Sequence, residues 1–293
     1  AALPPRAAAA FPRARVVAGD VNDVDALRAV FRAHRIDRLF PFAAVTAGPD
    51  RESADPHGVL EVNLHGLLRT LEAARDAGTV RRVILPSSAA VYGESAYGQA
   101  TLDEVSTPPV PISLYGVTKY AAERAGLRLC AAWGLDAVAA RIGATYGPWE
   151  RDTGLRDTLS PHLGIAQAAR RGGEAVLPLA ARLAYDWVYV RDLAAGLLAL
   201  LDAPAPHRVV NLASGTDWAP HLDACMAELA RAFPEFRWRV GDDPNIRFNE
   251  TRPRGVMRIA RASDFGWRPR FAPREAYADY AGWVLASGDA GLG

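Results

Sequence analysis

A tyrosine and a lysine are separated by about one helical turn in the segment Tyr115-Gly116-Val117-Thr118-Lys119. Residues at positions i and i+4 of an α-helix lie on the same face, so we expect the phenol and the ammonium group to project into the same space. A neighbouring ammonium favours the phenolate and lowers the pKa of a tyrosine from about 10. Such a phenol can take a proton from an alcohol while a hydride leaves the same carbon. The pair therefore predicts acid–base chemistry on a hydroxyl group; the alternative is an ordinary pair on a helix surface.

The lysine of this pair, Lys119, is the only lysine among the 34 basic residues of the chain. The preference for arginine elsewhere is typical of a GC-rich genome and carries no information about the fold. Because arginine serves at ordinary surface positions, a lysine here indicates a site that needs a compact charge with a tunable pKa.

Two serines follow residues 82–86, whose apolar run after Arg82 predicts a buried β-strand. Ligands of open α/β proteins bind outside the carboxyl ends of the parallel strands. Ser88 is therefore placed where it can exchange a hydrogen bond with the oxygen that Tyr115 deprotonates. The alternative is that Ser87 and Ser88 only form the turn that ends the strand.

The elements that must position these side chains follow from the pattern of the sequence. Short β-branched runs alternate with amphipathic segments, which predicts an α/β fold with a parallel sheet flanked by helices. Asp23 and Ser113 are suitable N-caps, and Gly78 and Gly134 are suitable glycines at helix C-termini. The predicted strands are residues 16–19, 38–43, 82–86, 136–142, 187–190 and 209–212, and the predicted helices are residues 24–34, 56–77, 113–133, 161–171, 192–202, 220–233 and 274–286.

The composition argues against several classes of function. A net charge of +1 gives no basic field for nucleic acid. No apolar run reaches the roughly 18–20 residues that span a bilayer, so no membrane partner is expected. The two cysteines, Cys130 and Cys225, indicate a reducing compartment and hence a cytoplasmic protein. The six histidines show no ligand spacing, so no metal site is predicted.

Two motifs resemble those of a known family. Ser-Ser-x-x-Val-Tyr-Gly begins at Ser87, and Leu-Tyr-Gly-x-x-Lys ends at Lys119. Both are similar to motifs of the extended short-chain dehydrogenase/reductases, specifically the NAD-dependent epimerase/dehydratase group. Further similar stretches lie at residues 19–21, 43–44, 63–66, 71–74, 141–148, 186–192, 252–253 and 266–269.

The resemblance implies a Rossmann-like doubly wound parallel sheet with a smaller C-terminal α/β substrate-binding region. From about residue 143 the alternation of strands and helices loosens, and connections rich in proline and glycine appear. We therefore expect residues 1–142 with about 184–213 to form the dinucleotide-binding domain. Residues from about 143 to 183, with 214–293, are expected to form the substrate-binding region.

The resemblance also implies NAD as the cofactor, with NADP as the alternative. Tyr115 is then the general base and acid, Lys119 holds the nicotinamide ribose and lowers the pKa of Tyr115, and Ser88 orients the reacting hydroxyl. The cofactor carries the hydride chemistry. The further positions implied to contact the cofactor are Asp20, whose carboxylate reaches the adenine, together with Val21, Ala43, Ala44 and Asn63.

The phosphate-binding glycine loop of the family is absent, because no Gly-x-x-Gly-x-x-Gly occurs in the 293 residues. The family has this loop in a strand–helix–strand unit before the position of Val16, so we expect that unit to be missing upstream. Its absence also conceals the residue that selects NAD over NADP.

The two residues after Ser88 limit the types of reaction that this site can catalyse. Ala89 and Ala90 occupy the positions of an Asp-Glu pair that dehydratases of the family use to eliminate water. Because alanine transfers no proton, the sequence favours oxidation, alone or followed by re-reduction, over dehydration.

The substrate side departs further from the family, since Ala144 and Tyr185 replace an asparagine and an arginine that are usual in nucleotide-sugar enzymes. Arg252 matches a phosphate-contacting position, and Arg182 is a substitute for the lost arginine. A guanidinium binds phosphate or carboxylate bidentately, which predicts an anionic sugar, either a nucleoside-diphosphate sugar or a sugar acid. The alternative for both arginines is a solvated surface position. The predicted substrate contacts are Ser88, Ala89, Arg182 and Arg252.

These features together predict an NAD-dependent epimerase of a nucleoside-diphosphate sugar, which acts by transient oxidation to a keto intermediate and re-reduction. One alternative is a net NAD(P)-dependent dehydrogenase or reductase of a sugar acid or other alcohol, which Ala144 and Tyr185 favour. A second is a non-catalytic dinucleotide-binding sensor, which the absent glycine loop favours. The resemblance further implies a homodimer formed through the long helices at residues 56–77 and 113–133.

Overall fold

The computed structural model describes residues 11–183, 185–248 and 250–287, and its centre is a four-stranded parallel sheet. The strands are ordered β1-β2-β4-β8, with bounds Arg38–Leu39, Arg82–Ser88, Asp136–Ile142 and Val209–Leu212. The two central strands, β2 and β4, pair along their whole length. β2 is buried over almost all of its residues, because helices cover both faces of the sheet.

The remaining elements surround this sheet or continue beyond it. The helices are α1 (Val24–His34), α2 (Pro49–Ala54), α3 (Pro56–Leu60), α4 (Leu67–Ala77), α5 (Leu114–Trp133), α6 (Pro161–Arg170), α7 (Val190–Asp202), α8 (Leu222–Ala232), α9 (Ala260–Ser263) and α10 (Pro273–Ser287). Parallel two-stranded pairs are formed by β3 (Thr101–Leu102) with β10 (Val256–Met257), β5 (Ala144–Tyr146) with β7 (Trp187–Tyr189), and β6 (Glu174–Leu177) with β9 (Arg237–Val240).

Two apolar layers enclose the central sheet. Val83 and Leu85 of β2 face a core shared with α1, α4 and α5, whereas Ile84 faces a core shared with α7 and α9. Successive side chains of a strand point to opposite faces of the sheet, so a sheet that is covered on both sides needs apolar residues at both sets of positions. The predicted α/β fold with a parallel sheet flanked by helices is confirmed.

A separate apolar core lies in the later part of the chain. It is built mainly from α6, α8 and α10, with Leu163, Met226 and Tyr280 among its fully buried side chains. The strands β5 and β7 contribute Tyr146 and Tyr189 to it. The division into two regions near residue 143 stays a prediction, and the presence of this second core supports it.

The structure differs from the sequence prediction beside β1. Residues 16–19 form no strand, and Val16 and Val17 are 52% and 54% exposed. The predicted strand 38–43 is paired only over Arg38–Leu39. Backbone groups of a strand need a neighbouring strand, and no strand of the described ranges pairs with the outer edge of β1.

The long helix predicted for residues 56–77 is interrupted between α3 and α4. A π-helical segment, Glu61–Gly66, replaces the regular helix there and contains the buried Asn63. Short π-helical insertions are frequent at functional sites, because the extra residue redirects a side chain.

The four predicted helix-capping residues are confirmed, whereas the helices predicted at 161–171, 192–202, 220–233 and 274–286 differ from the observed bounds by one or two residues. Asp23 and Ser113 accept hydrogen bonds from backbone amides in the first turns of α1 and α5. Gly78 and Gly134 end α4 and α5 with φ of 66° and 72°, a conformation that favours glycine. In the part of the chain that the structure describes, no helix combines the length and apolar character needed to cross a membrane.

Candidate active site

The first turn of α5 holds Tyr115 at the carboxyl edge of the sheet. The Ser113 hydroxyl oxygen accepts a hydrogen bond from the Gly116 amide at 3.1 Å, and a Glu52 carboxylate oxygen accepts one from the first amide of the helix at 2.7 Å. Gly116 also permits a close approach, because a Cβ atom there would lie 2.8 Å from the Ala90 carbonyl oxygen. The turn that follows Ser88 and the turn that carries Tyr115 are therefore in direct contact.

A buried polar network fixes the strand end that carries Ser88. The preceding Ser87 donates a hydrogen bond to Glu123 of α5 at 2.6 Å. Glu123 is also paired with Arg141 of β4, through contacts of 3.0 and 2.8 Å. The network joins β2, β4 and α5 in the core. It therefore fixes the position of Ser88, at the end of β2, relative to Tyr115 on α5.

These elements enclose a cavity of about 660 Å³ at the carboxyl ends of β2 and β4. The three residues predicted to be catalytic, Ser88, Tyr115 and Lys119, all line it. The structure therefore brings together the residues that sequence spacing singled out. Other residues on its wall include Ala44, Thr46, Ala89, Arg156, Glu250 and Arg254.

The pKa of Tyr115 reflects two opposing effects. Removal of the phenol from water raises its pKa above the usual value of 10.0. Hydrogen bonds with Ser88 and Thr46 and the positive charge of Arg156 lower it, but burial outweighs them. The pKa is therefore raised, in contrast to the lowering that the Tyr115–Lys119 spacing predicts.

Lys119 is a buried ammonium, with only 7% of the residue exposed. Burial lowers its pKa from 10.5 to about 8, and no carboxylate contributes to the shift. The residue lines both the cavity and a narrow adjoining crevice, whose wall includes Ala43 and Asn63. A ligand with hydroxyl groups would satisfy the three donors of the ammonium there.

Asn63 directs its amide group into the protein. Its Oδ1 accepts a hydrogen bond from the Val45 amide at 2.7 Å, and its Nδ2 donates to the Val45 carbonyl at 2.9 Å and to Thr118 Oγ1 at 3.1 Å. Because these polar atoms are engaged within the protein, the structure supports a positioning role for Asn63, and its contact with a cofactor stays a prediction.

The other predicted cofactor residues divide into two groups. Ala44 lines the cavity and Ala43 lines the crevice, as expected for residues beside a cofactor. Asp20 and Val21 line neither space. Asp20 is exposed and accepts a hydrogen bond from a nearby backbone amide, and Val21 packs against Gly66. The contact of these two residues with an adenine stays a prediction.

Neither of the arginines predicted to bind substrate lies on the cavity wall. Arg182 is half exposed and pairs with Asp223 at 3.3 Å. Arg252 forms two contacts of 3.0 Å with Glu94 and stacks on the Tyr97 ring at 3.6 Å. Each guanidinium is bound to a carboxylate outside the cavity, and the substrate contacts of these two arginines stay predictions.

Arg254, to which the sequence assigned no role, lines the cavity instead. Its side chain is 13% exposed, and its contacts are long: 3.4 Å to the Tyr185 hydroxyl, 3.4 Å to Glu250 and 3.3 Å to the Ala89 carbonyl. Contacts of this length leave the guanidinium able to form stronger bonds with an anion. The sequence places a substrate-binding arginine in the motif Arg252-Pro253-Arg254. It does not show which of the two arginines faces the cavity.

Comparison with known proteins agrees with this geometry. Residues 3–213 match the model of the NAD dependent epimerase/dehydratase family. The chain belongs to this family. It is 30% identical over 281 residues to the UDP-glucose 4-epimerase of Streptomyces lividans, a match that covers 90% of this chain and 81% of that relative.

Two further family comparisons cover most of the chain. It is 29% identical over 267 residues to a protein of Oryza sativa subsp. japonica named as GDP-L-fucose synthase 2, which covers 87% of this chain and 73% of that one. The UDP-glucose 4-epimerase of Thermus thermophilus, solved in complex with NAD, has a similar fold with a TM-score of 0.73. That comparison has 26% identity and covers 92% of this chain and 84% of the other. The predicted Rossmann-like architecture is thereby confirmed. Within the described residues, no group of histidine, cysteine or acidic side chains is arranged to hold a metal ion.

Proposed function

We propose that this family member is an NAD-dependent epimerase of a nucleoside-diphosphate sugar. The observation that carries the proposal is that Ser88, Tyr115 and Lys119 line one cavity at the carboxyl ends of parallel strands. A phenol beside a hydroxyl donor and a buried ammonium suits the removal of a proton from a sugar alcohol. The relatives from S. lividans and T. thermophilus are named UDP-glucose 4-epimerases, which supports the same reaction.

The residues present fit the nicotinamide half of the cofactor. Lys119 is a buried cation whose pKa no carboxylate affects, so it would donate to the ribose hydroxyl groups. Ala43 and Ala44 leave room beside it, and we assign Asp20 and Val21 to the adenine end. When bound, NAD accepts a hydride from the sugar carbon and returns it to the opposite face. No Gly-x-x-Gly-x-x-Gly is present in the 293 residues to bind the pyrophosphate.

Tyr115 takes the proton of the sugar hydroxyl during oxidation and returns it during re-reduction. Ser88 bonds to the same oxygen, and Ser88 and Thr46 also stabilise the ionised phenol. Because burial raises the pKa of Tyr115, the reaction depends on these partners and on nearby positive charge. Ala89 and Ala90 supply neither an acid nor a base for the elimination of water, so the keto intermediate is reduced again.

We propose that Arg254, and not Arg182 or Arg252, binds the charged group of the substrate. Its guanidinium lies 3.3 Å from the carbonyl of Ala89, the residue after Ser88, and therefore stands next to the reacting position. A phosphate or carboxylate of the sugar would bind it through two hydrogen bonds. The cavity thus suits an anionic sugar.

The test compares wild type, Tyr115→Phe and Tyr120→Phe with NAD and either UDP-glucose or UDP-glucuronate, and separates the C4 epimers. Tyr120→Phe removes a hydroxyl from the same helix and serves as the matched control. We expect Tyr115→Phe to lose turnover while binding NAD as wild type does. Near-normal turnover in this variant would overturn the proposal.

The same assay discriminates the alternatives. Reduced nicotinamide that accumulates in proportion to substrate favours a net dehydrogenase or reductase, to which Ala144 and Tyr185 on the cavity wall are suited. NAD binding without turnover of any nucleotide sugar or uronic acid favours a dinucleotide-binding sensor.

The family resemblance also leads us to propose a homodimer. The two free cysteines lead us to propose a reducing, cytoplasmic location. Leu67 and Leu71, on the first of the two long helices expected to form the dimer, pack into the core on one face of the sheet. A dimer would therefore use other side chains of the long helices. A monomeric molar mass in light scattering would overturn the dimer.

A further inference from the structure

The loop between β5 and α6 is bonded to the segment that follows β1. The Thr46 amide donates to the Leu155 carbonyl at 2.9 Å, and the Asp157 amide donates to the Thr46 carbonyl at 3.1 Å. Arg156 is therefore held on both sides, and it forms a parallel bridge with Thr46. Thr46, Arg156 and Tyr115 all line the same cavity, so this pairing fixes Arg156 on the wall that Tyr115 shares.

Asp157 anchors the loop a second time. Both of its carboxylate oxygens accept from Arg51, at distances between 2.7 and 3.0 Å, and one accepts from the Gly48 amide at 2.9 Å. Arg51 donates in addition to the Gly154 carbonyl at 2.8 Å. The two side chains are 35% and 27% exposed. Partial shielding and fork-like geometry distinguish this pair from an ordinary surface ion pair.

Helix α2 connects this anchor to the helix that carries Tyr115. Arg51 binds the loop, and the adjacent Glu52 accepts hydrogen bonds from the Leu114 and Tyr115 amides at 2.7 and 3.4 Å. Two neighbouring residues of one short helix therefore fix both the loop that carries Arg156 and the turn that carries Tyr115.

Within the described part of the chain, Arg156 is the cation whose charge lowers the pKa of Tyr115. Its side chain is 38% exposed and lies 3.4 Å from Glu150, its own ion-pair partner. Ser88 and Thr46, on two other elements, line the same cavity and also lower the pKa of Tyr115. The further charged groups on the cavity wall are Lys119, Glu250 and Arg254.

We propose that Arg156 is a positioning residue of this site: the loop anchored by Asp157 holds its guanidinium beside Tyr115, where its positive charge stabilises the phenolate. The sequence assigned this task to Lys119 alone. A guanidinium stays charged over the whole working pH range, whereas the Lys119 ammonium does not, because its pKa is about 8. Only the turnover measurement below rests on the proposed function.

The first measurement is a direct titration of Tyr115 in the full chain. Phenolate absorbance is recorded against pH for wild type and for Arg156→Gln, and the signal of Tyr115 is isolated in each by subtracting the corresponding protein with the added Tyr115→Phe change. We expect Arg156→Gln to raise the pKa of Tyr115 by about half a unit to one unit, the effect of one partly screened charge. Arg156→Lys keeps the charge and should restore most of the wild-type value. Arg151→Gln, an exposed arginine of the same loop, is the matched control and should change nothing.

The second measurement is the pH dependence of kcat with the substrate that wild type turns over. Arg156→Gln should move the acidic limb, on which kcat rises as Tyr115 loses its proton, to higher pH and lower kcat about three- to tenfold below the midpoint, with recovery above it. Asp157→Asn weakens the anchor and should move the limb in the same direction by less.

The outcomes separate the two proposals. An unchanged titration of Tyr115 in Arg156→Gln overturns the role of Arg156, and so does a loss of kcat by the same factor on both sides of the midpoint. A shifted titration in a protein whose wild type turns over no sugar supports the role of Arg156 and overturns the proposed function.

Discussion

The side chain of Asn63 lies against the main chain of Val45 and forms hydrogen bonds with both its amide and its carbonyl, at 2.7 and 2.9 Å. The amide group thus takes the place of a neighbouring strand just beyond the end of β1. The next residue, Thr46, lines the cavity together with Tyr115 and pairs with the loop that carries Arg156. One buried amide therefore supports the part of the cavity wall that carries Thr46.

Asn63→Ala is expected to lower the free energy of unfolding by about 2 kcal/mol or more, because it leaves two buried backbone groups of Val45 without partners. Turnover should also fall, since Thr46 loses its support. Denaturant unfolding at neutral pH measures the first effect. Thr118→Val is the comparison, because it keeps both Val45 contacts and removes the third hydrogen bond of Asn63, at 3.1 Å, together with the bond from the Thr118 hydroxyl to the Tyr115 carbonyl at 2.9 Å. Equal losses in the two variants would contradict the importance of the Val45 contacts.

Lys119→Met should make the protein more stable while it abolishes turnover. Burial lowers the pKa of Lys119 from 10.5 to about 8, so the unfolded state binds more protons between these values. The stability of wild type should therefore rise as pH increases from 8 to 10.5, and at pH 7 the buried ammonium costs about 3 kcal/mol. Urea unfolding of both proteins at pH 7 and pH 10 tests this. A less stable variant at pH 7 would show that the ammonium has partners in the folded protein.

The elements around the proposed base follow from local patterns in the sequence. Helix α1, strand β4 and strand β8 have the predicted bounds, because apolar periodicity and capping residues such as Asp23 act over a few neighbours. Ser88, Tyr115 and Lys119 were found for the same reason: two of them share one helix, and the third ends the strand beside it. The segment at residues 16–19 failed because a strand depends on a partner strand, which local pattern does not reveal.

The substrate side was harder to predict, because it depends on which way single side chains turn. Arg252 and Arg254 are two residues apart, yet one binds Glu94 outside the cavity and the other faces inward. The role of Arg156 depends on hydrogen bonds between residues more than a hundred positions apart, such as those of Arg51 with Asp157. No property of either residue type signals that contact.

Substitution should affect the two arginines of the Arg-Pro-Arg motif, Arg252 and Arg254, to different extents. Arg254→Ala is expected to raise the KM for the sugar nucleotide about tenfold or more with a smaller change in kcat, because it removes a charged hydrogen-bond donor from the cavity. Arg252→Ala removes an identical side chain that is already paired with Glu94, and its KM should stay within about twofold of wild type. Steady-state kinetics of both variants decide the assignment, and a larger effect at Arg252 would reverse it.

His162 is fully buried in the second core, and its ring stacks on Tyr146 with the ring centres 4.2 Å apart. Neither of its ring nitrogens has a hydrogen-bond partner among the described residues. Burial lowers its pKa from 6.5 to about 3, because a charged imidazole would have no compensating partner there. The histidine is therefore neutral in the folded protein at every pH at which enzymes of this kind are assayed.

This neutral histidine should make the protein sensitive to acid. Between pH 6.5 and pH 3 the unfolded state binds a proton that the folded state does not, so stability falls as the pH falls through this window. The loss should reach about 2 kcal/mol at pH 5 relative to pH 7.5. His162→Phe keeps an aromatic ring in the stack and removes the titrating group, so its stability should change less over the same interval. Guanidinium unfolding at both pH values measures the difference, with the exposed His34→Gln as the control. If His162→Phe loses as much stability at pH 5 as wild type does, the acid sensitivity comes from other groups.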